Sequence, residues 1–438
     1  MKWARSSLAP LSTVVPGAPW DDLAPLGNMI GDATLVGLSE GVHCAAEPLE
    51  FRNRVFQYLV EHKGFTAIAI ESGIVESRVV HDYVRGANDD VSNVLARGIS
   101  WGMDQLPQNR ELVQWMRDYN ARHPRKINFY GFDVSGSLAS ADAARTHDTA
   151  LQEALEFLSS VDANACTAFR TRLDPLMHSM HFTLQGSSDR NCYEQLSQPQ
   201  RDALTAAIAD LIIWFERHEA RYSAATGASA YAWAYRAAIG ARQVDSWLRQ
   251  VPVGWNVSDR TSALQEALST FYPAAADVRE RAQADNLDWI VSREGSGKIL
   301  VFASRYHLSS ASLKPGFGAE ERAAQEVAGT YLRRRFGSRW LTIGNLIGEG
   351  EVECGNYRES LARAPAESID GLVGQAGAPL FLLDLRTAPD TVARWLSQEH
   401  TLVAGAQTLK LPLRAAFDVL FYIDKVTPAC RAAASSRS

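Results

Sequence analysis

The chain has 438 residues, 46% of them hydrophobic and 21% charged, with a formal net charge of -6. This composition builds a sizeable globular core and lacks the concentrated basic surface that nucleic acid or an anionic membrane requires of a partner. No apolar run reaches the roughly 18 residues of a membrane span, and residues 1–20 lack the apolar stretch of a secretory signal. The cysteines, Cys44, Cys166, Cys192, Cys354 and Cys430, are odd in number and scattered, with no C-x-x-C pair. That pattern points to a reduced compartment, with the cytoplasm as the default, and to no thiolate metal site.

In chain order, Ala33–Leu38 reads as a buried strand. Apolar residues at helical spacing (Phe51, Val55, Leu59) predict a helix that ends at Lys63, before Gly64, a natural C-cap. Thr66–Ile70 is a second buried strand, Glu111–Arg122 a helix and Ile127–Phe132 a third strand. Strands alternating with helices imply a parallel sheet covered on both faces. From about Ser137 to Ala276 no strand pattern appears. Helical periodicity fills Ala141–Val161, Pro199–Tyr222 and Ser229–Gln250, so this stretch reads as a helical insertion or cap. The α/β pattern then returns. It predicts helices over Ala282–Ser292 and Glu320–Phe336, and strands at Lys298–Ala303, Trp340–Ile343, Leu380–Leu383 and Val419–Ile423. The expected fold is therefore α/β, a mostly parallel central sheet flanked by helices. Its divisions are residues 1–136, the cap at 137–276, a second α/β half at 277–430 and a disordered tail at 431–438.

Ligands of open parallel sheets bind beyond the carboxyl ends of the strands. In that position stand Ser39, Glu40 and His43, then Glu71, Asp133, and Ser304 with His307. Two chemistries compete for the first segment. Gly37-Leu38-Ser39-Glu40-Gly41 matches the G-x-S-x-G nucleophile elbow. On that reading Ser39 attacks, His307 is its base, and Asp133 or Asp285 completes the triad. An elbow serine, however, sits on a central strand that usually follows several others, and this strand reads as the first. The alternative is Glu40 with His43, three residues apart, in which the carboxylate fixes the imidazole tautomer of a general base. Glu40 as a helix-end charge and His43 as a cap is the plain structural alternative.

The residues Val36-Gly37-Leu38-Ser39-Glu40-Gly41-Val42-His43 resemble the G-E-x-x-H segment of the erythromycin esterase family. The resemblance continues through Glu47, Glu50-Phe51-Arg52, Gly64–Glu71, Tyr83-Val84-Arg85-Gly86, Trp115–Asn120 and Phe129–Asp133. Arg279-Glu280-Arg281 with Asn286, Leu287 and Trp289 is similar to that family's R-D-R…N-x-x-W helix. Tyr422-Ile423-Asp424 with Thr427-Pro428-Ala429 is similar to its terminal strand. The resemblance implies an ester hydrolase, metal-independent or weakly metal-responsive, that opens macrolide lactones with an activated water. It implies His43 as general base, Glu40 as the group that orients it or helps hold the water, Arg52 and Glu71 in the same cleft, and His307 as the second histidine of an H-N-x-H motif. Arg52 or His307 would stabilise the oxyanion, and Glu71 would clamp Arg52 or hold a second proton. Two positions depart from the family: Ser304 stands where its first strand-end histidine would be, and Ser39 where glycine is common.

The expected partner is a small molecule, an apolar ester, lactone or polyketide, with Ser304, Asp133 and Trp101 lining its cleft. No cofactor is expected. The alternative is a divalent metal on Glu40, His43, Glu71 and His307, because imidazole and carboxylate suit zinc or manganese. His178 and His181 have metal-ligand spacing but no accompanying carboxylate pattern. Two further functional alternatives are a natural-product tailoring enzyme (acyl transfer, cyclisation or elimination) and a catalytically silent binding protein.

Overall fold

The computed structural model describes residues 2–136, 148–177, 179–180, 192–250, 262–317, 320–321, 323–354, 357–405 and 407–430. Thirteen strands occur among these residues: β1 (Ala9–Pro10), β2 (Leu35–Glu40), β3 (Phe65–Gly73), β4 (Asn128–Asp133), β5 (Lys298–Ser304), β6 (Lys314–Phe317), β7 (Glu320–Glu321), β8 (Trp340–Cys354), β9 (Tyr357–Leu361), β10 (Leu380–Asp384), β11 (Glu399–Ala404), β12 (Gln407–Pro412) and β13 (Val419–Val426). Nine of them form one sheet in the order β1-β10-β13-β8-β2-β5-β3-β4, with β9 hanging on β8. From β13 to β4 every neighbouring pair is parallel, so both α/β stretches of the sequence feed the same sheet.

The alternation of side chains explains why the strands are apolar throughout. On one face Leu35, Ala67, Ala69, Tyr130, Phe132, Ile299 and Val301 pack against helices of the middle region. On the other, Val36, Leu38, Ile68, Ile70, Phe129, Leu300 and Phe302 meet the helix Ala46–Lys63 through Leu49, Phe51, Val55 and Leu59. A strand buried on both faces has no polar side to show. That helix ends as its sequence predicts, with Gly64 at φ 74°. At Gly37 a Cβ would lie 2.5 Å from the Trp340 ring, so the β2–β8 contact admits only glycine.

The middle of the chain is helical among the described residues: Thr149–Val161, Ala163–Met177, Gln198–Thr226, Ala228–Leu248 and Ser262–Glu294. No described helix is long and apolar enough to cross a membrane. Several expectations are corrected. The predicted helix over Glu320–Phe336 spans only Ala328–Phe336. Ahead of it Glu320–Glu321 pairs with β6, and Gln325 exchanges two backbone hydrogen bonds with Leu313, which draws the segment into extended backbone. The strands β6, β7, β11 and β12 make a separate antiparallel sheet that alternation did not announce. Cys44 is disulfide-bonded, against the expectation of reduced thiols, because bridging depends on tertiary proximity and not on spacing along the chain. His178, His181 and the tail 431–438 lie outside the described residues.

Candidate active site

The carboxyl ends of β2, β3, β4 and β5 bring their polar side chains together. β2 delivers Ser39 and Glu40, both buried. Ser39 is committed to the sheet. Its hydroxyl donates to the Ile343 carbonyl at 2.9 Å and accepts from the Asn345 amide at 2.9 Å, stitching β2 to β8. The residues that a serine triad would need are elsewhere engaged: His307 binds two glutamates, Asp133 is buried among other donors, and Asp285 is exposed on its helix. The nucleophile-elbow alternative is not assembled.

Glu40 Oε1 lies 2.7 Å from His43 Nδ1. A carboxylate can only accept, so Nδ1 carries the proton and Nε2 is left as the basic nitrogen. The Glu40 side chain is 3% exposed, whereas that of His43 is 39% exposed, so the imidazole is the member of the pair that reaches solvent. Desolvation pulls the His43 pKa down, but Glu40, by charge and hydrogen bond, and then Glu71 outweigh it and hold it above the ordinary 6.5. The turn between them is fixed by Asn345, whose Oδ1 accepts from the Gly41 amide at 2.8 Å.

Behind this pair stands a chain of alternating charges. Glu71 on β3 accepts from His307 Nε2 at 3.1 Å, from Arg279 at 2.8 Å and from the Ser304 amide at 3.0 Å. His307 Nδ1 in turn contacts Glu280 at 2.6 Å. Both ring nitrogens of His307 therefore face carboxylate oxygens and both must donate. Burial disfavours that charge, but Glu280 and Glu71 prevail and push its pKa up to about 10. Burial would raise the Glu71 carboxyl, yet His307, Arg279 and His43 hold it well below the usual range. At neutral pH His307 is a fixed imidazolium, not a base.

Asp133 ends β4 and is fully buried. It binds Arg279 through Oδ1 at 3.0 Å and Oδ2 at 2.5 Å, and also accepts from Gln283 and the Trp101 indole. It touches no open space itself. It orients Arg279 and Trp101, whose ring lies 4.8 Å from the guanidinium carbon. Trp101 adopts φ 66°, a left-handed conformation rarely taken by a bulky residue and one that clusters at functional sites. Ser304 caps the short helix Arg305–Leu308 by accepting from the Tyr306 amide at 3.3 Å.

Arg52 is placed differently from its expected role. It is 1% exposed, and its donors go to Asn53, Asn109 and the Gln108 carbonyl, with its guanidinium carbon 4.9 Å from the Phe302 ring centre. Burial lowers its pKa to about 10. Glu71 pairs with Arg279 and not with Arg52, and the Arg52 guanidinium is spent on the wall behind Glu40. The sequence reading assigned no role to Arg279 or Glu280. The signal was present in the polar series Arg279, Gln283, Asn286 at four- and three-residue steps, one face of a helix, where Asn286 also donates to the Phe132 carbonyl. Among the described residues no group of three or more His, Cys, Asp or Glu side chains is arranged to hold a metal ion.

The family model described as erythromycin esterase matches residues 60–426. The chain belongs to the erythromycin esterase family. The match begins after the Glu40–His43 segment. Erythromycin esterase type II of Escherichia coli is 27% identical over 164 residues, 36% of this chain and 38% of that protein, so the match spans well under half of that relative. A Bacillus cereus protein of solved structure superposes with a TM-score of 0.77 at 23% identity, covering 98% of this chain and 97% of its own. An erythromycin esterase mutant in its open conformation gives 0.72 at 16% identity, covering 95% and 97%. At these identities the structures show a shared fold.

Proposed function

We propose that this erythromycin esterase family member hydrolyses an ester or macrolactone with a water molecule activated by His43. The observation that carries the reading is the 2.7 Å pair between Glu40 Oε1 and His43 Nδ1, with the imidazole as its solvent-reaching member. In this reading Nε2 takes a proton from water as the hydroxide oxygen bonds to the acyl carbon. Glu40 stabilises the imidazolium that forms. The tetrahedral oxyanion is met by Arg279, whose Nη1 is not among the atoms bonded to Asp133 and Glu71, a donor fixed in place before the step. The imidazolium then returns its proton to the departing alkoxide, giving an alcohol and a carboxylic acid, which loses its proton to solvent as the carboxylate. Asp133 and Glu280 act through others, by holding Arg279 and His307.

The reaction is proposed to run without a resident metal, since Glu71 and His307 spend their donor atoms on one another, on Arg279 and on Glu280. The test is incubation with a panel of macrolides and simple esters in oxygen-18 water, with and without chelator. One labelled oxygen in the product carboxylate, unaffected by chelator, is expected. Binding without turnover would point instead to a silent binding protein, and loss of turnover with chelator to metal dependence.

A further inference from the structure

We propose that a second cleft, at the opposite edge of the sheet, binds a small phosphate monoester, its phosphoryl group held between Arg85, Arg293 and the first turn of the helix Ala228–Leu248. The cleft has a volume of about 620 Å³, within the range of small-molecule sites. It opens where β3 and β4 begin, whereas the catalytic cleft lies where they end. The helix Ser262–Glu294 reaches both, with Arg279 and Glu280 at one and Arg293 and Glu294 at the other, about 20 Å apart at the rise of an α-helix.

Four observations point to an anion. The 21-residue helix begins at Gly227, which offers no side-chain cap, and its first-turn residues Ala228 and Ser229 line the cleft. First-turn amides have no helical acceptor and attract phosphate oxygens. Arg85 is exposed on the cleft wall and makes no ion pair among the described residues. Arg293 is fixed between Trp233, at 5.2 Å, and Trp289, at 5.4 Å, and donates to the Ser229 hydroxyl at 2.5 Å. The acidic side chains at this cleft are already engaged. Glu294 accepts from Asn128, Tyr130 and Thr66, and the rim residue Asp82 faces Arg78 at 3.6 Å.

His81 selects among anions. It is 8% exposed and lines the cleft, and its Nδ1 donates to the Phe129 carbonyl at 3.1 Å. Its Nε2 has no partner among the described residues. Desolvation lowers its pKa to about 4, against the Phe129 hydrogen bond and with the help of Arg293, Arg85 and Arg78, so Nε2 is an acceptor that needs a donor. A phosphate monoester, with its second pKa near 6, retains a protonated oxygen in part of the population at neutral pH. Sulfate has none. The space beyond a single phosphoryl group accounts for the organic body.

The experiment is calorimetric titration of the full chain at constant ionic strength with ribose 5-phosphate, inorganic phosphate, ribose and sulfate. Saturable binding of ribose 5-phosphate is expected, with weaker competition by inorganic phosphate and none by ribose or sulfate. Arg85→Ala, at an exposed position, should weaken binding about tenfold or more by removing charge-assisted hydrogen bonds. His43→Ala should leave it intact, separating this cleft from the catalytic one. Absence of saturable binding, sulfate binding as tightly as phosphate, insensitivity to Arg85→Ala, or loss in His43→Ala would each overturn the proposal. Equal affinity for inorganic phosphate and the monoester would overturn the part that assigns room to an organic body.

Discussion

At the scale of single residues, the segment around Ser39 contains two chemistries that differ by where each side chain is already bonded. Ser39 is a backbone clasp between β2 and β8, and His43 carries the half-exposed imidazole. His43→Ala should lower kcat by about a hundred- to ten-thousand-fold, the usual worth of general base catalysis, with an unchanged circular dichroism spectrum. Ser39→Ala should keep its kcat in the folded protein. A dead Ser39→Ala beside a live His43→Ala would return the case to the serine. The same pair sets a pH dependence. Nε2 must be unprotonated to accept from water, and Glu40 with Glu71 raises the His43 pKa above 6.5. The rate on an ester substrate should therefore climb with pH through that raised value. Glu40→Gln removes the foremost raising influence, so the rising limb should move to lower pH while the plateau falls. A limb that stays in place would separate Glu40 from the base.

At the scale of elements, the parallel strands and the helix ending at Gly64 were legible because burial on both faces and a C-cap leave direct marks in composition. The strand bounds were less so. β2 runs through Ser39 and Glu40, since a serine whose hydroxyl satisfies a neighbouring strand is as much at home in a sheet as in a loop. The site residues of β2, β3, β4 and β5 were legible from their position at the carboxyl end of each strand. Arg279 and Glu280 were not: the series Arg279, Gln283, Asn286 marks one polar helix face, but nothing local tells a buried ionic stripe from a solvated face. Only the sheet edge they meet reveals the difference. This gives Ser39 and Arg279 distinct stability signatures. Ser39→Ala leaves the Ile343 carbonyl and the Asn345 amide without partners, at about 1–3 kcal/mol. Arg279→Met strands the fully buried Asp133 beside Glu71, for which about 3–5 kcal/mol is expected. Chemical denaturation of both variants should rank them in that order. The reverse ranking would mean that Asp133 finds compensation elsewhere.

At the scale of the whole molecule, the charge chain behind the cleft couples folding to pH in a direction opposite to catalysis. The folded His307 pKa, about 10, lies above its ordinary 6.5. Its pairing with Glu280 and Glu71 thus contributes fully below pH 6.5 and fades as pH rises towards 10. Glu71 is depressed below its ordinary 4.5, so its contribution is full above that value and fades as pH falls through the depressed one. Together these two groups stabilise most between about pH 4.5 and 6.5, and His43, also raised, adds to the alkaline loss. The water-activating form of His43 is the neutral one, which accumulates on the alkaline side of that window. The pH of greatest thermal stability should accordingly lie below the pH of greatest activity. Tm measured across pH 4 to 10 beside initial rates would show the offset. His307→Gln should lower Tm and flatten its decline above pH 6.5, because the variant has no imidazolium to lose. An alkaline decline equally steep in that variant would place the stored electrostatic stability in some other group of the fold.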